Sequence, residues 1–141
     1  MADYFTKFSV VFNLPDAAAQ GYALDLANDA SRAQQGDELP GDFPPSLKNA
    51  VEVWNFETDP SGTDGKSALW LHSEEGGIDA ACAFIQHLLQ KFDSSGRVSF
   101  EWSNDCSKPR ADACGGGAAI ITAKKIKSMN TNQWLHKNGG Q

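Results

Sequence analysis

The sequence predicts an α+β domain of ferredoxin-like type: a split βαβ in the order β-α-β-β-α-β, its antiparallel sheet covered on one face by two helices and extended by an added C-terminal strand. Three observations point there. Residues 5–14 and 97–103 alternate apolar with polar side chains, residues 15–33 and 78–92 place apolar residues at helical spacing, and a Pro/Gly-rich acidic turn separates two short apolar runs.

The elements follow in order. Phe5 to Leu14 sets Thr6, Phe8, Val10 and Phe12 on one face and Lys7, Ser9 and Asn13 on the other, which predicts a strand with one wet face. Pro15 pre-sets φ for a first helical turn and Asp16 suits a helix N-terminus. The alanine-rich run to Ala33 then carries Ala19, Tyr22, Ala23, Leu26 and Ala30 at helical spacing. Residues 34–49, with Gly36, Gly41 and three prolines, predict an irregular connection. A second strand is expected over Ala50–Glu57, a turn over Asp59–Lys66 and a third strand over Ser67–Ser73, the three making a hairpin. Ile78 to Phe92 is the most regular amphipathic helix of the chain, with Ile78, Ala81, Cys82, Ile85, Leu89 and Phe92 on one face. Arg97–Ser103 predicts a fourth strand and Ala118–Ala123 an apolar fifth. Residues 1–123 are thus read as a single domain and 124–141 as a lysine-bearing, partly ordered tail.

Composition sets the outer limits. The chain of 141 residues, 40% hydrophobic and 10% aromatic, has the make-up of one globular domain. No stretch approaches the roughly 20 apolar residues of a membrane span, and the first residues do not read as a signal peptide, so a cytoplasmic protein is expected. Three cysteines, Cys82, Cys106 and Cys114, without a secretory signal predict reduced thiols. Charge is divided unevenly. Residues 1–112 hold all 18 acids against 8 of the 12 Lys and Arg, a net of −10, whereas residues 113–141 hold four lysines and no acid. Such a body disfavours direct nucleic-acid binding and favours a protein partner with a basic surface.

Ser103 to Gly117 concentrates the candidate chemistry. Lys108 and Arg110 straddle Pro109, and Gly115, Gly116 and Gly117 would let backbone N–H groups converge on an anion. The structural alternative is that the glycines make a tight turn into the fifth strand while the cations pair with Asp105 and Asp112. Cys106 and Cys114, with seven residues between them, have no intervening histidine and lack a second thiol pair, so a four-ligand zinc site would have to recruit the distant His72, His87 or His136. The two cations could still activate a thiol, although no neighbouring base is at hand. Cys82 belongs to the apolar helix face. His72, beside Glu74 and Glu75, could take part in acid-base chemistry, but a solvated strand-end histidine is the plainer reading. The segment Asp59–Gly65 resembles a calcium loop only superficially: its glycine falls at the seventh position and Trp70 stands where the bidentate glutamate belongs. No metal and no cofactor is therefore assigned. Glu52, Trp54, Trp70, His72 and Glu101 are candidates for the uncovered sheet face, with Trp54 and Trp70 as aromatic contacts for a partner.

From Phe100 onward the chain reads Phe-Glu-Trp-Ser-Asn-Asp-Cys-Ser-Lys-Pro-Arg, then Gly115-Gly116-Gly117-Ala118-Ala119-Ile120-Ile121, then Met129-Asn130-Thr131 and Trp134-Leu135. This last third resembles a group of small proteins encoded by bacteriophages, plasmids and bacterial mobile elements. The resemblance implies a prokaryotic or phage origin and a shared role for the block, but brings no activity with it. The expectation is a small acidic binding protein that acts through protein-protein contact, with modulation of a host nucleic-acid-handling or defence complex as its context. The alternative is an anion-binding protein or enzyme built on Lys108, Arg110 and the glycine triplet, and a homodimer contact through Lys108–Trp134 is a third arrangement.

Overall fold

The computed structural model describes residues 4–62, 67–106 and 115–139. In chain order the elements are β1 (Tyr4–Leu14), α1 (Ala17–Gln34), a 3-10 helix (Pro45–Val53), β2 (Glu57–Ser61), β3 (Ser67–Ser73), α2 (Ile78–Phe92), β4 (Arg97–Cys106), β5 (Gly115–Thr122), β6 (Ile126–Asn130) and α3 (Thr131–Asn138). The strands form one six-stranded antiparallel sheet in the order β2-β3-β1-β4-β5-β6. The fold is α+β.

Period-two alternation decides which face is covered. Phe8, Val10, Phe12 and Leu14 of β1 are buried, and so are their neighbours Leu69 and Leu71 of β3, Val98 and Phe100 of β4, and Ala119 and Ile121 of β5. Against this face lie α1, through Ala19, Ala23, Leu26, Ala27 and Ala30, and α2, through Phe84, Ile85, Leu88 and Leu89. Each fully buried Leu, Ile or Phe contributes about 1.5–3 kcal/mol, so this two-layer core carries the fold. The buried face of α1 is mostly alanine, whereas α2 contributes larger side chains to the core. Asp16 caps α1, its carboxylate accepting the Ala19 N–H at 2.8 Å.

Two sequence expectations need correction. No strand forms over Ala50–Glu57. Pro44 and Pro45 instead start a 3-10 helix, and Leu47, Val51 and Trp54 recur at i, i+4 and i+7, turning one face onto α1 and α2. The helical spacing of these three side chains outweighs the local alternation of Val51 and Val53, because it buries all three whereas Val53 stays exposed. The second strand therefore begins only at Glu57 and takes in Asp59, Pro60 and Ser61, which the sequence reading assigned to the turn. Pro60 is tolerated because β2 is an edge strand. The other correction concerns the glycine triplet, which opens β5: Gly115, Gly116 and Gly117 pair with Asn104, Ser103 and Trp102. The fourth strand correspondingly runs on to Cys106.

The lysine-bearing segment adds β6 to the sheet and then α3. Asn130 caps α3 by accepting the Gln133 N–H at 2.7 Å, and Thr131 Oγ1 accepts the Gly116 N–H at 3.0 Å. Met129-Asn130-Thr131 thus ties β6 and α3 back onto the glycine end of β5.

Between α1 and α2, the Tyr22 hydroxyl and His87 Nε2 lie 2.8 Å apart. Burial, with a smaller effect from the nearby Lys91 ammonium, lowers the His87 pKa from 6.5. As pH falls, the unfolded chain takes up this proton before the folded one does. Stability is therefore full above the unperturbed value and declines as pH drops through it, until the folded imidazole also protonates. A urea midpoint lower at about pH 5.5 than at about pH 7.5 is expected, with the difference reduced in His87→Gln.

Candidate functional site: the open sheet face

The face of the sheet opposite the helices is solvent-exposed, and register fixes what it presents. On β3 it carries Trp70 and His72, which pair with Val11 and Ser9 of β1 on one side and with Asp59 and Glu57 of β2 on the other. Farther across lie Phe5, Lys7 and Asp105, then Ser99 and Glu101 of β4 opposite Ile120 and Ala118 of β5. Val11, Trp70, Ile120 and Met129 are exposed large apolar side chains on this face. The face therefore mixes exposed apolar side chains with carboxylates.

Its best-organised part is the β2–β3 edge. His72 Nε2 lies 2.6 Å from Asp59 Oδ2 and 3.8 Å from Glu57 Oε2. The imidazole stacks on the Trp70 indole with centroids 3.8 Å apart and planes at 25°, and Trp70 Nε1 donates to Ser9 Oγ at 2.8 Å. Each ring is held by another group, so the orientation of His72 is set by packing. Beside it opens a cleft of about 1040 Å³ whose lining includes Glu57, Glu74, Glu75, Glu101 and Lys7: four carboxylates against one ammonium.

The candidates named from sequence divide sharply. Trp70, His72 and Glu101 lie on the open face as expected. Trp54 does not: at 2% exposure it sits in the core, stacked on Phe56 and edge-on to Phe84. Glu52 leaves the sheet altogether with the 3-10 helix. His72 engages Glu57 and Asp59, whereas sequence proximity had suggested Glu74 and Glu75. Gly115, Gly116 and Gly117 are paired strand residues, and the Gly116 N–H is already taken by Thr131, so the triplet does not form a nest of convergent free amides. Lys108, Arg110 and Cys114 lie outside the described residues, as does the Cys106 side chain. Cys82 faces the core, where burial, followed by the Asp79 carboxylate, pushes its thiol up to about 11; an inert core residue results.

Glu57 and Asp59 are the site residues that sequence reasoning missed. Glu57 and His72 are fifteen positions apart, and the hairpin register alone makes them neighbours. The available signal was the Glu-x-Asp spacing, which places two carboxylates on one face of a strand.

A second cavity, of about 670 Å³, lies between the start of α2 and β4–β6, with Thr6, Ile78, Cys82, Trp102, Asn104 and Gln133 among its lining. Thr6 Oγ1 donates to Asn104 Oδ1 at 3.0 Å, so these polar groups satisfy one another.

No protein-family model matches the chain, and no curated protein matches it. Among solved structures it is similar to LarC2, the C-terminal domain of a cyclometallase involved in the synthesis of the NPN cofactor of lactate racemase, in its apo form. The similarity extends over 97% of this chain and 88% of that one at 10% identity, with a TM-score of 0.31, too low to carry any argument about fold or function.

Proposed function

We propose that the protein acts by binding, using the open sheet face and its acidic cleft to engage a protein partner with a basic surface. The observation that carries this is the set of four carboxylates, Glu57, Glu74, Glu75 and Glu101, around one cleft next to the exposed Trp70. An acidic cleft whose His72 stacks on an exposed indole suits a Lys- or Arg-rich segment, which meets the carboxylates by charge and the indole by cation–π contact. The proposed setting is a bacterial cytoplasm, with a host nucleic-acid-handling or defence complex as target; the resemblance of the last third of the chain to proteins of phages and mobile elements supports the origin, and the capacity of an acidic surface to occupy a basic cleft supports the target. We further propose that β1–β4 with α1 and α2 form a ferredoxin-like split βαβ layer, extended by β5 and β6; the order β2-β3-β1-β4 supports this.

The anion-site alternative is weaker, because it relied on free glycine amides and the Gly116 amide is occupied. The two readings are separated by fluorescence anisotropy with a labelled Lys/Arg-rich peptide and with inorganic phosphate as competitor. Binding of the peptide is expected to weaken about tenfold in Glu74→Lys/Glu101→Lys, to weaken in Trp70→Ala, and to fall with added salt. Equal affinity for an acidic peptide, or no effect of the charge reversals, would refute the reading.

A further inference from the structure

We infer that Glu57, Asp59 and His72 form a binding site for a divalent first-row transition-metal ion, of the zinc or manganese type. Each residue offers one donor atom, and the three donors lie within 4.8 Å of one another. The backbone supplies this convergence. Glu57 and His72 are direct partners in the β2–β3 register, and Asp59 follows Glu57 by two positions, so all three project from the same face.

Metal–ligand bonds of about 2.0–2.2 Å in a tetrahedral shell set donor atoms about 3.4 Å apart. Here His72 Nε2 stands 3.8 Å from Glu57 Oε2 and 2.6 Å from Asp59 Oδ2. The first separation contracts slightly on binding. The second widens by less than about 1 Å as an ion takes the place of the shared proton. These adjustments require side-chain rotation only, and Glu57 and Asp59, at 79% and 51% side-chain exposure, are free to make them.

Two features distinguish the cluster from a chance group of surface acids. The imidazole is already oriented, since it stacks on Trp70, which is itself held by Ser9. The donor set is also mixed. One imidazole nitrogen with two carboxylate oxygens suits zinc, manganese or iron(II), whereas calcium and magnesium take oxygen ligands alone and copper(I) takes sulfur. Two carboxylates facing a single imidazole leave negative charge that a dication would neutralise. Three protein ligands on an exposed edge leave coordination positions open to water or to a donor from a bound molecule. The site stands on its own geometry and does not depend on the nature of the protein partner.

The test is a titration of the isotopically labelled full chain with substoichiometric manganese(II), read by amide NMR. Paramagnetic broadening is expected to centre on residues 57–59 and 70–72 and on the Trp70 indole N–H. It should be abolished in His72→Gln and in Asp59→Asn, the second of which preserves side-chain shape. Calorimetry with zinc should give one site there, weakened at least about tenfold by either substitution. Spectra of the metal-free variants that match wild type outside the hairpin establish that the fold is kept. Broadening spread over the whole acidic surface and unchanged in His72→Gln would overturn the proposal, as would broadening centred on another part of the chain.

Discussion

Replacing Trp54 by alanine is expected to cost about 3–5 kcal/mol, measured as the loss in unfolding free energy from urea denaturation followed by circular dichroism. The indole is 2% exposed and joins the end of the 3-10 helix to α2. It ends the 3-10 helix, stacks on Phe56 with centroids 4.9 Å apart, and meets Phe84 of α2 edge-on at 5.2 Å. Truncation to a methyl group leaves a cavity that two aromatic rings and a helix cannot collapse to fill. Among the described residues the indole N–H has no hydrogen-bond partner. Trp54→Phe, which keeps most of the ring, should therefore lose less than half as much. Trp70 provides the opposite case. It is 39% exposed on the open face, and Trp70→Ala should cost about 1 kcal/mol of stability while weakening partner binding. If Trp54→Ala were as mild as Trp70→Ala, Trp54 would belong on the surface, as its sequence position first suggested.

Gly116→Ala is expected to destabilise by about 3 kcal/mol, and Gly117→Ala by a comparable amount, although a methyl group is the smallest addition possible. A Cβ at Gly116 would overlap the Trp102 carbonyl oxygen of β4, and one at Gly117 would overlap the Trp102 indole and the Met129 carbonyl oxygen of β6. Backbone atoms cannot rotate aside. Accommodating either methyl group therefore means separating β5 from β4 or β6, the ladders that attach the last two strands. Gly21 of α1, where an added Cβ meets nothing within 4 Å, is the internal control: Gly21→Ala should raise stability by about 0.5–1 kcal/mol through helix propensity. An anion-binding triplet would instead show lost ligand affinity with unfolding unchanged, so a large loss of stability in Gly116→Ala assigns the glycines to strand packing.

These two predictions also mark where sequence reasoning went astray. Trp54 lies in Val51-Glu52-Val53-Trp54-Asn55-Phe56, which alternates locally like a strand, and the helical spacing from Leu47 competes with that pattern. Over so short a stretch the two periods are indistinguishable until α2 is in place to bury one of them. The glycines carry no side-chain pattern at all. In a window without one, a strand and a turn read alike, and proximity to Trp102, Thr131 and Met129 decided the outcome.

The chain by itself determined β1, α1, α2 and β4, because each repeats its own period over enough residues, with Pro15-Asp16 starting α1, to specify a buried face without reference to any partner; β3 was marked as a strand, but Ala68-Leu69-Trp70-Leu71 is apolar on both sides and left its buried face open. Glu101 marked the open face through the alternation of β4, whereas Trp70 and His72 were only candidates for it until their pairing with Val11 and Ser9 of β1 set their parity. Tertiary structure alone decided the rest. β6 has its residues exposed or half-buried and so shows no alternation; it becomes a strand only because β5 offers an unpaired edge. Glu57 and Asp59 joined His72 only once the hairpin register was set, for pairing between strands is a property of two segments together, and neither segment encodes it alone.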